Sequence, residues 1–143
     1  MPYCTPADIR DRIDLRRLVQ LTDDEGEGIV DDSRIEKAIA DADNEIDGYV
    51  GIRHAVPLPS PPPLLNKLSA DLAVYHLYSR RGRVPEVHAE RYRKAAGILE
   101  QIALGKISLG GSDPDGNPPA SDAPEMSCEN PSRLFTRSSM HGF

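Results

Sequence analysis

The residues best suited to metal chemistry lie in an acidic stretch, LTDDEGEGIVDD, whose spacing resembles a calcium-binding EF-hand loop at Asp23, Glu25, Glu27 and Gly28. With Asp23 as the first loop position, Gly28 falls at the sixth position, where the motif requires glycine. The twelfth position is Arg34, although the motif requires a bidentate glutamate there. A cation at a ligand position opposes calcium binding, so we expect no metal here and no other cofactor.

Paired carboxylates on one helix face are a second candidate chemistry. Asp41 with Glu45, and Asp43 with Asp47, have the four-residue spacing that places two acids side by side on a helix. General acid and base catalysis needs a group that such acids can activate, and the sequence places no nucleophile near them. We therefore expect these acids to form a solvated or interface face.

Asp71 is the acid in the most apolar surroundings, within PPLLNKLSADLAVYHLY. A buried carboxylate is costly unless a cation or hydrogen-bond donor compensates it. We predict a buried structural Asp71, held by an arginine such as Arg53 or by Tyr75. Catalysis by Asp71 is the alternative, and no nucleophile or cofactor motif supports it.

Other catalytic and ligand patterns are missing from the sequence. The cysteines Cys4 and Cys128 lack the spacing of a zinc site or a disulfide framework. There is no GxSxG, HExxH or GxxxxGK[ST] motif. The four histidines share no ligand spacing: His54, His76, His88 and His141. We therefore expect a protein that is not an enzyme.

A basic cluster follows the apolar segment at Arg80, Arg81 and Arg83, and more bases follow in ERYRK. These residues could contact phosphates without sequence specificity. The overall charge of −6 opposes a duplex laid along the protein. A solvated turn or an interface with an acidic neighbour is the other interpretation, and Arg80, Arg81 and Arg83 are our candidate interface residues.

The charge is strongly polarised along the chain. Residues 22–47 carry eleven acidic residues against two basic ones, a local net charge of −9. Residues 79–106 carry seven basic residues against three acidic ones, a net charge of +4. Such polarity suits head-to-tail contacts between copies of the chain, although two unrelated solvated faces would give the same pattern.

Helices must position these groups. Thr5, Pro6 and Asp8 form a helix start, and the apolar spacing continues to about residue 21 with a possible break near Asp14. After the acidic loop, Ser33 and Glu36 have the pattern of a capping box for a second helix.

The second helix has an apolar stripe that continues to about Arg53. Its Gly48 suggests the close approach of another backbone or a nearby helix end. The run PLPSPPP is expected to be an extended connector.

Pro63 opens a third helix that is apolar nearly all round, so this helix should be the most buried element. Pro85 and Glu86 open a fourth helix, with Val87 in its apolar stripe, and Gly105 ends it.

The C-terminal third has a different composition. Residues 110–124 contain no Val, Ile, Leu, Met or aromatic residue, so they cannot bury a core. We predict a helical domain of residues 1–108, a flexible linker of residues 109–130 and a docking segment, residues 131–143, called here the C-terminal arm. The arm carries the candidate contact residues Leu134, Phe135, Arg137 and Phe143. The fold class is thus all-α, a small bundle of four to five helices with this long C-terminal excursion.

The composition of the 143 residues is 38% hydrophobic and 28% charged, and one domain accounts for this length. No uncharged apolar run approaches the roughly 18 residues of a membrane span. The N-terminus MPYCTPADIRDRID lacks the apolar region of a signal peptide, so we expect a cytoplasmic protein without a membrane partner.

Several motifs occur in an order that resembles the small head–tail connector proteins of Mu-like phages and prophages. These motifs are TPADI, LVQLTD, IDGYV followed by PLP, ADLAVYHLY, GKISL, and the terminal LFTR and GF. The resemblance covers nearly the whole chain and is weakest over residues 109–130.

The resemblance implies a non-enzymatic adaptor that assembles as a ring beneath the portal protein and receives the neck or tail. It implies about twelve copies, to match the portal's symmetry, with duplex DNA passing through the lumen without specific binding. It also implies assembly in the bacterial cytoplasm and a final location at the virion head–tail junction. A small helical DNA-binding or regulatory prophage protein is the alternative.

Overall fold

The computed structural model describes residues 1–110, which form five α-helices and no β-strand. The helices are α1 (Pro6–Arg12), α2 (Leu15–Thr22), α3 (Asp32–Val50), α4 (Pro63–Arg80) and α5 (Glu86–Ala103). The all-α prediction is confirmed. The predicted linker and C-terminal arm lie outside the described residues, apart from the linker's first two residues.

The first predicted helix is two short helices, α1 and α2, separated near Asp14 as its sequence suggested. Thr5 caps α1 through a reciprocal arrangement. The Thr5 hydroxyl accepts a hydrogen bond from the Asp8 backbone at 3.4 Å, and the Asp8 carboxylate accepts one from the Thr5 backbone at 2.7 Å. The backbone amides of Thr5 and Asp8, two of the groups that a helix start leaves without an intrahelical partner, are thereby satisfied.

Helix α3 begins two residues earlier than a Ser33 cap predicts, and a different residue caps it. Its cap is Asp31, whose carboxylate accepts a hydrogen bond from the Ser33 backbone at 2.9 Å, so the predicted Ser33–Glu36 capping box is wrong. The helix ends at Val50, and the space beside Gly48 is open. Gly48 therefore marks a nearby helix end and no close backbone contact.

Helix α4 is the central element, as predicted. Ten of its 18 residues are buried, and it packs against α3 on one side and α5 on the other. Leu65, Leu68 and Leu72 are fully or almost fully buried. This extensive burial accounts for the apolar composition of the segment, although Lys67, Ser79 and Arg80 remain exposed.

Helix α5 closes the bundle through Ala95, Leu99 and Ile102, which are buried. Val87 is 57% exposed, so its predicted place in the apolar stripe is wrong. The first turn of α5 extends beyond the edge of the core there. Gly105 follows the helix with φ of +74°, which accounts for glycine at this C-terminal position.

Residues before α1 also belong to the core, because Tyr3 and Cys4 are buried between α3 and α4. The Asn66 side chain on α4 donates a hydrogen bond to the Tyr3 carbonyl at 3.0 Å. The N-terminal segment is thus fixed to α3 and α4.

Candidate interaction surface

Asp71 is 9% exposed on α4, and its partner comes from α1. The Arg12 guanidinium donates a hydrogen bond to the Asp71 carboxylate at 2.6 Å. An arginine thus holds Asp71, as the sequence suggested, but it is Arg12, which the sequence did not identify. The pair joins residues 59 positions apart, and no local pattern indicates such a contact.

Two acids on α3 that the sequence assigned to a solvated face are partly buried instead. Asp43 accepts hydrogen bonds from the Tyr3 backbone at 3.1 Å and from the Ser69 hydroxyl at 2.6 Å. Asp47 accepts one from the Tyr3 phenol. Burial raises the pKa of Asp43, and the Ser69 hydrogen bond opposes that shift.

Glu45 is the third of these acids with partners in the fold. It accepts a hydrogen bond from the Tyr92 hydroxyl at 2.9 Å and lies 3.2 Å from the His76 ring nitrogen. Burial and the Glu45 carboxylate raise the pKa of Tyr92 to about 12. Tyr75 stacks on Tyr92 with ring centroids 4.0 Å apart. Of the four acids predicted to form a solvated or interface face, only Asp41 is exposed, and the other three are partly buried with partners in the same chain.

The acidic loop, residues 23–31, is held in place at its base. The Asp23 carboxylate accepts hydrogen bonds from the backbones of Gly26, Glu27 and Gly28 at 2.7 to 3.1 Å. These bonds, led by the one from Gly28, lower the pKa of Asp23. The carboxylate thus orders the loop from within.

Asp24 fixes the same loop to helices α3 and α4. Its carboxylate oxygens lie 2.8 Å from Arg80, 3.0 Å from Arg81 and 3.2 Å from Arg34. The Arg80 hydrogen bond is the main cause of a lowered pKa at Asp24.

Among residues 1–110, no group of three or more His, Cys, Asp or Glu side chains is placed to hold a metal ion.

The three candidate interface arginines therefore differ in their surroundings. Arg80 and Arg81 bind Asp24 and also donate hydrogen bonds to backbone carbonyls, those of Leu21 and of Asp23. Arg83 is exposed, and its guanidinium has no hydrogen-bond or ion-pair partner within the described part of the chain.

Arg83 lines an open groove of about 730 Å³ between α2 and the turn that joins α4 to α5. We call it the arginine groove. Its lining residues are Arg17, Gln20, Leu21, Asp23, Tyr78, Arg81, Arg83 and Pro85.

Arg17 contributes the second uncommitted cation of this groove. It is exposed and donates one hydrogen bond to Gln20 at 3.2 Å, with no ion pair among residues 1–110. Arg17 was not among the residues predicted from the sequence. The signal that could have identified it is the helical pattern of α2, which buries Leu18 and Leu21 and exposes Arg17. Leu21 and Tyr78 give the groove apolar walls between its charges.

His88 lies beside this groove, stacked on Tyr78 with ring centroids 4.7 Å apart. Burial, with a further contribution from Arg91, lowers the pKa of His88. The remaining candidate contacts, Leu134, Phe135, Arg137 and Phe143, lie outside the described residues.

These features define a small all-α protein with a charged groove where α4 ends and α5 begins. Comparison with known proteins gives its family. The family model described as "Bacteriophage Mu, Gp36" matches residues 3–128, so the chain belongs to that family.

Two relatives place the chain among the proteins of Mu-like phages. It is 30% identical to "Mu-like prophage FluMu protein gp36" of Haemophilus influenzae over 114 residues, covering 80% of this chain and 78% of the relative. It is 34% identical to "Gene product J" of Escherichia phage Mu over 111 residues, covering 77% of each chain. None of the helices within residues 1–110 is long and apolar enough to span a bilayer.

Proposed function

We propose that this chain is a structural phage or prophage protein that forms a ring at the head–tail junction. In this proposal it is an adaptor between the portal protein and the neck or tail, and it catalyses no reaction. About twelve copies match the portal's rotational symmetry. Duplex DNA passes through the lumen without specific binding. Assembly takes place in the bacterial host cytoplasm, and the ring becomes part of the virion.

The arginine groove is the observation that carries this proposal. Arg17 and Arg83 have no ion pair within the described chain, and Leu21, Tyr78 and Pro85 provide apolar surface between them. Arginine and tyrosine beside apolar surface are characteristic of protein–protein interfaces. The groove is therefore suited to an acidic protein surface.

Charge polarity supports a ring. The exposed part of the acidic loop, Glu25 to Ile29, lies outside the arginine groove, although Asp23 at the base of the loop lines that groove. A contact between these unlike surfaces of two copies is heterologous. Repeated heterologous contacts with a closing rotation produce a ring. Membership of a Mu-like phage family is consistent with such a virion role.

A DNA-binding role is less well supported. Arg80 and Arg81, two of the three bases that suggested phosphate contacts, are already paired with Asp24. The acids of α3 and the net charge of −6 oppose a duplex along the remaining surface.

In this proposal the C-terminal arm binds a neighbouring subunit of the assembly. Leu134, Phe135 and Phe143 supply apolar side chains, and Arg137 adds a charge that can pair with an acidic surface. In the assembled ring this segment docks on a neighbouring copy or on the portal.

Deletion of the gene from a phage or prophage that encodes the chain tests the proposal. We expect DNA-filled heads and separate tails in electron micrographs, with tailed particles restored by the wild-type chain. Tailed infectious particles without the gene would contradict the proposal, as would an arrest before DNA packaging.

Complementation with charge variants links the phenotype to the groove. We expect Arg17→Glu/Arg83→Glu to leave heads without tails. The matched control Lys94→Glu/Lys106→Glu makes the same charge change at exposed residues outside the groove and should restore tailed particles. A shift of duplex DNA by the wild-type chain at moderate salt would instead favour the regulatory alternative.

A further inference from the structure

The acidic loop presents a preorganised set of free groups. Asp23 and Asp24 fix its base, whereas Glu25, Glu27 and Ile29 are exposed beyond it. Ile29 is 61% exposed, and neither glutamate side chain forms an ion pair among residues 1–110. A loop ordered before binding loses little conformational freedom when it binds a partner.

The arginine groove has the complementary composition. Its free cations, Arg17 and Arg83, match two carboxylates, and its apolar walls match one exposed aliphatic side chain. A volume of about 730 Å³ is within the size range of pockets that enclose ligands, so it can accept a short loop segment.

A second copy of the chain can supply that segment. In each copy, Asp24 pairs with Arg80 of α4 and with Arg81, which follows that helix. The carboxylates of Glu25 and Glu27 remain exposed and can bind a neighbouring copy.

We propose that the acidic loop of one copy enters the arginine groove of the next copy. Glu25 and Glu27 then pair with Arg17 and Arg83, and Ile29 packs on the groove's apolar walls. This contact rests on the proposed ring, because it supplies the heterologous interface that a ring repeats. Arg80 and Arg81 act indirectly, by holding the loop in position.

A charge-exchange experiment with the full chain tests this contact. The groove variant is Arg17→Glu/Arg83→Glu, and the loop variant is Glu25→Arg/Glu27→Arg. Each variant alone brings like charges together, so we expect its self-association to weaken at least tenfold in sedimentation velocity, with and without portal protein.

Mixing the two variants should restore association. The wild-type loop of the groove variant fits the wild-type groove of the loop variant, and the two reversed surfaces fit each other. The matched controls Lys94→Glu/Lys106→Glu and Glu36→Arg/Glu100→Arg alter exposed charges outside both surfaces and should assemble like the wild type. Helical circular dichroism verifies that every variant is folded.

Three results would overturn the loop–groove contact. The first is a wild-type chain that stays monomeric even with portal protein. The second is a mixture that associates no better than its separate components. The third is a groove variant that loses DNA binding while the loop variant assembles normally. If gene deletion still yields tailless heads in the second or the third case, the connector role stands and only this contact is wrong, whereas the first result overturns both.

Discussion

Loss of the Arg12–Asp71 ion pair should destabilise the fold strongly, because Asp71 is almost fully buried. The Asp71 side chain is 10% exposed and the Arg12 side chain is 27% exposed. Removing one member of a buried pair costs about 3 to 5 kcal/mol, because the other charge stays buried without compensation. The partial exposure of Arg12 places Arg12→Met near the lower limit, about 3 kcal/mol. That is a large share of the roughly 5 to 15 kcal/mol that stabilises a typical domain.

Urea unfolding of the full chain at pH 7.5, followed by helical circular dichroism, measures this loss. Asp71→Asn removes the buried charge itself, so adding it to Arg12→Met should recover part of the lost stability. Arg16→Met is the matched control, since Arg16 is exposed, and it should change the free energy of unfolding by less than about 0.5 kcal/mol.

A loss below about 1 kcal/mol in Arg12→Met, with additive effects in the double variant, would refute the reasoning.

Three further predictions concern the loop, the groove and the arm. Asp24→Asn should accelerate amide hydrogen exchange in residues 25–30 and leave α4 protected, because the loop loses its arginine anchor; unchanged exchange would contradict this. The lowered pKa of His88 means that the unfolded chain takes up its proton first, so stability should fall as pH drops below about 6.5. In urea unfolding at a series of pH values, His88→Asn should reduce this fall of the free energy of unfolding with decreasing pH. An unchanged fall would show that other groups cause it. Deleting residues 131–143 should leave a folded helical monomer that no longer assembles in sizing experiments, whereas loss of helical signal with aggregation would make the arm part of the core.

Capping residues and prolines in the sequence correctly predicted where three of the helices begin. Thr5, Pro63 and Pro85 all lie at or beside the start of a helix, because caps and prolines act within one turn. The start of α3 was less well defined, since Asp31 and Ser33 can both cap a helix and only the backbone geometry selects Asp31.

Long-range pairing could not be predicted from spacing. The paired carboxylates of α3 have the spacing of a solvated or interface face, yet Tyr3, which lies 40 and 44 positions away, donates hydrogen bonds to two of them. The buried partners of Asp43 and Asp47 come from other elements, and only the packing of the N-terminal segment on α3 brings Tyr3 to them.

The candidate interface arginines were also predicted only in part from the sequence. The sequence identified the cluster at Arg80, Arg81 and Arg83. It could not show that Arg80 and Arg81 form ion pairs with Asp24. Nor could it show that Arg17 of α2 lies across a groove from Arg83, because that proximity depends on how α2 packs near the end of α4.

Native mass spectrometry of the purified chain with its cognate portal protein tests the connector proposal most directly. The proposal predicts one closed assembly in which about twelve copies bind one portal ring. It also predicts that Arg17→Glu/Arg83→Glu prevents this assembly. A chain that stays monomeric beside an intact portal ring, or that binds it in one or two copies, would contradict the connector function.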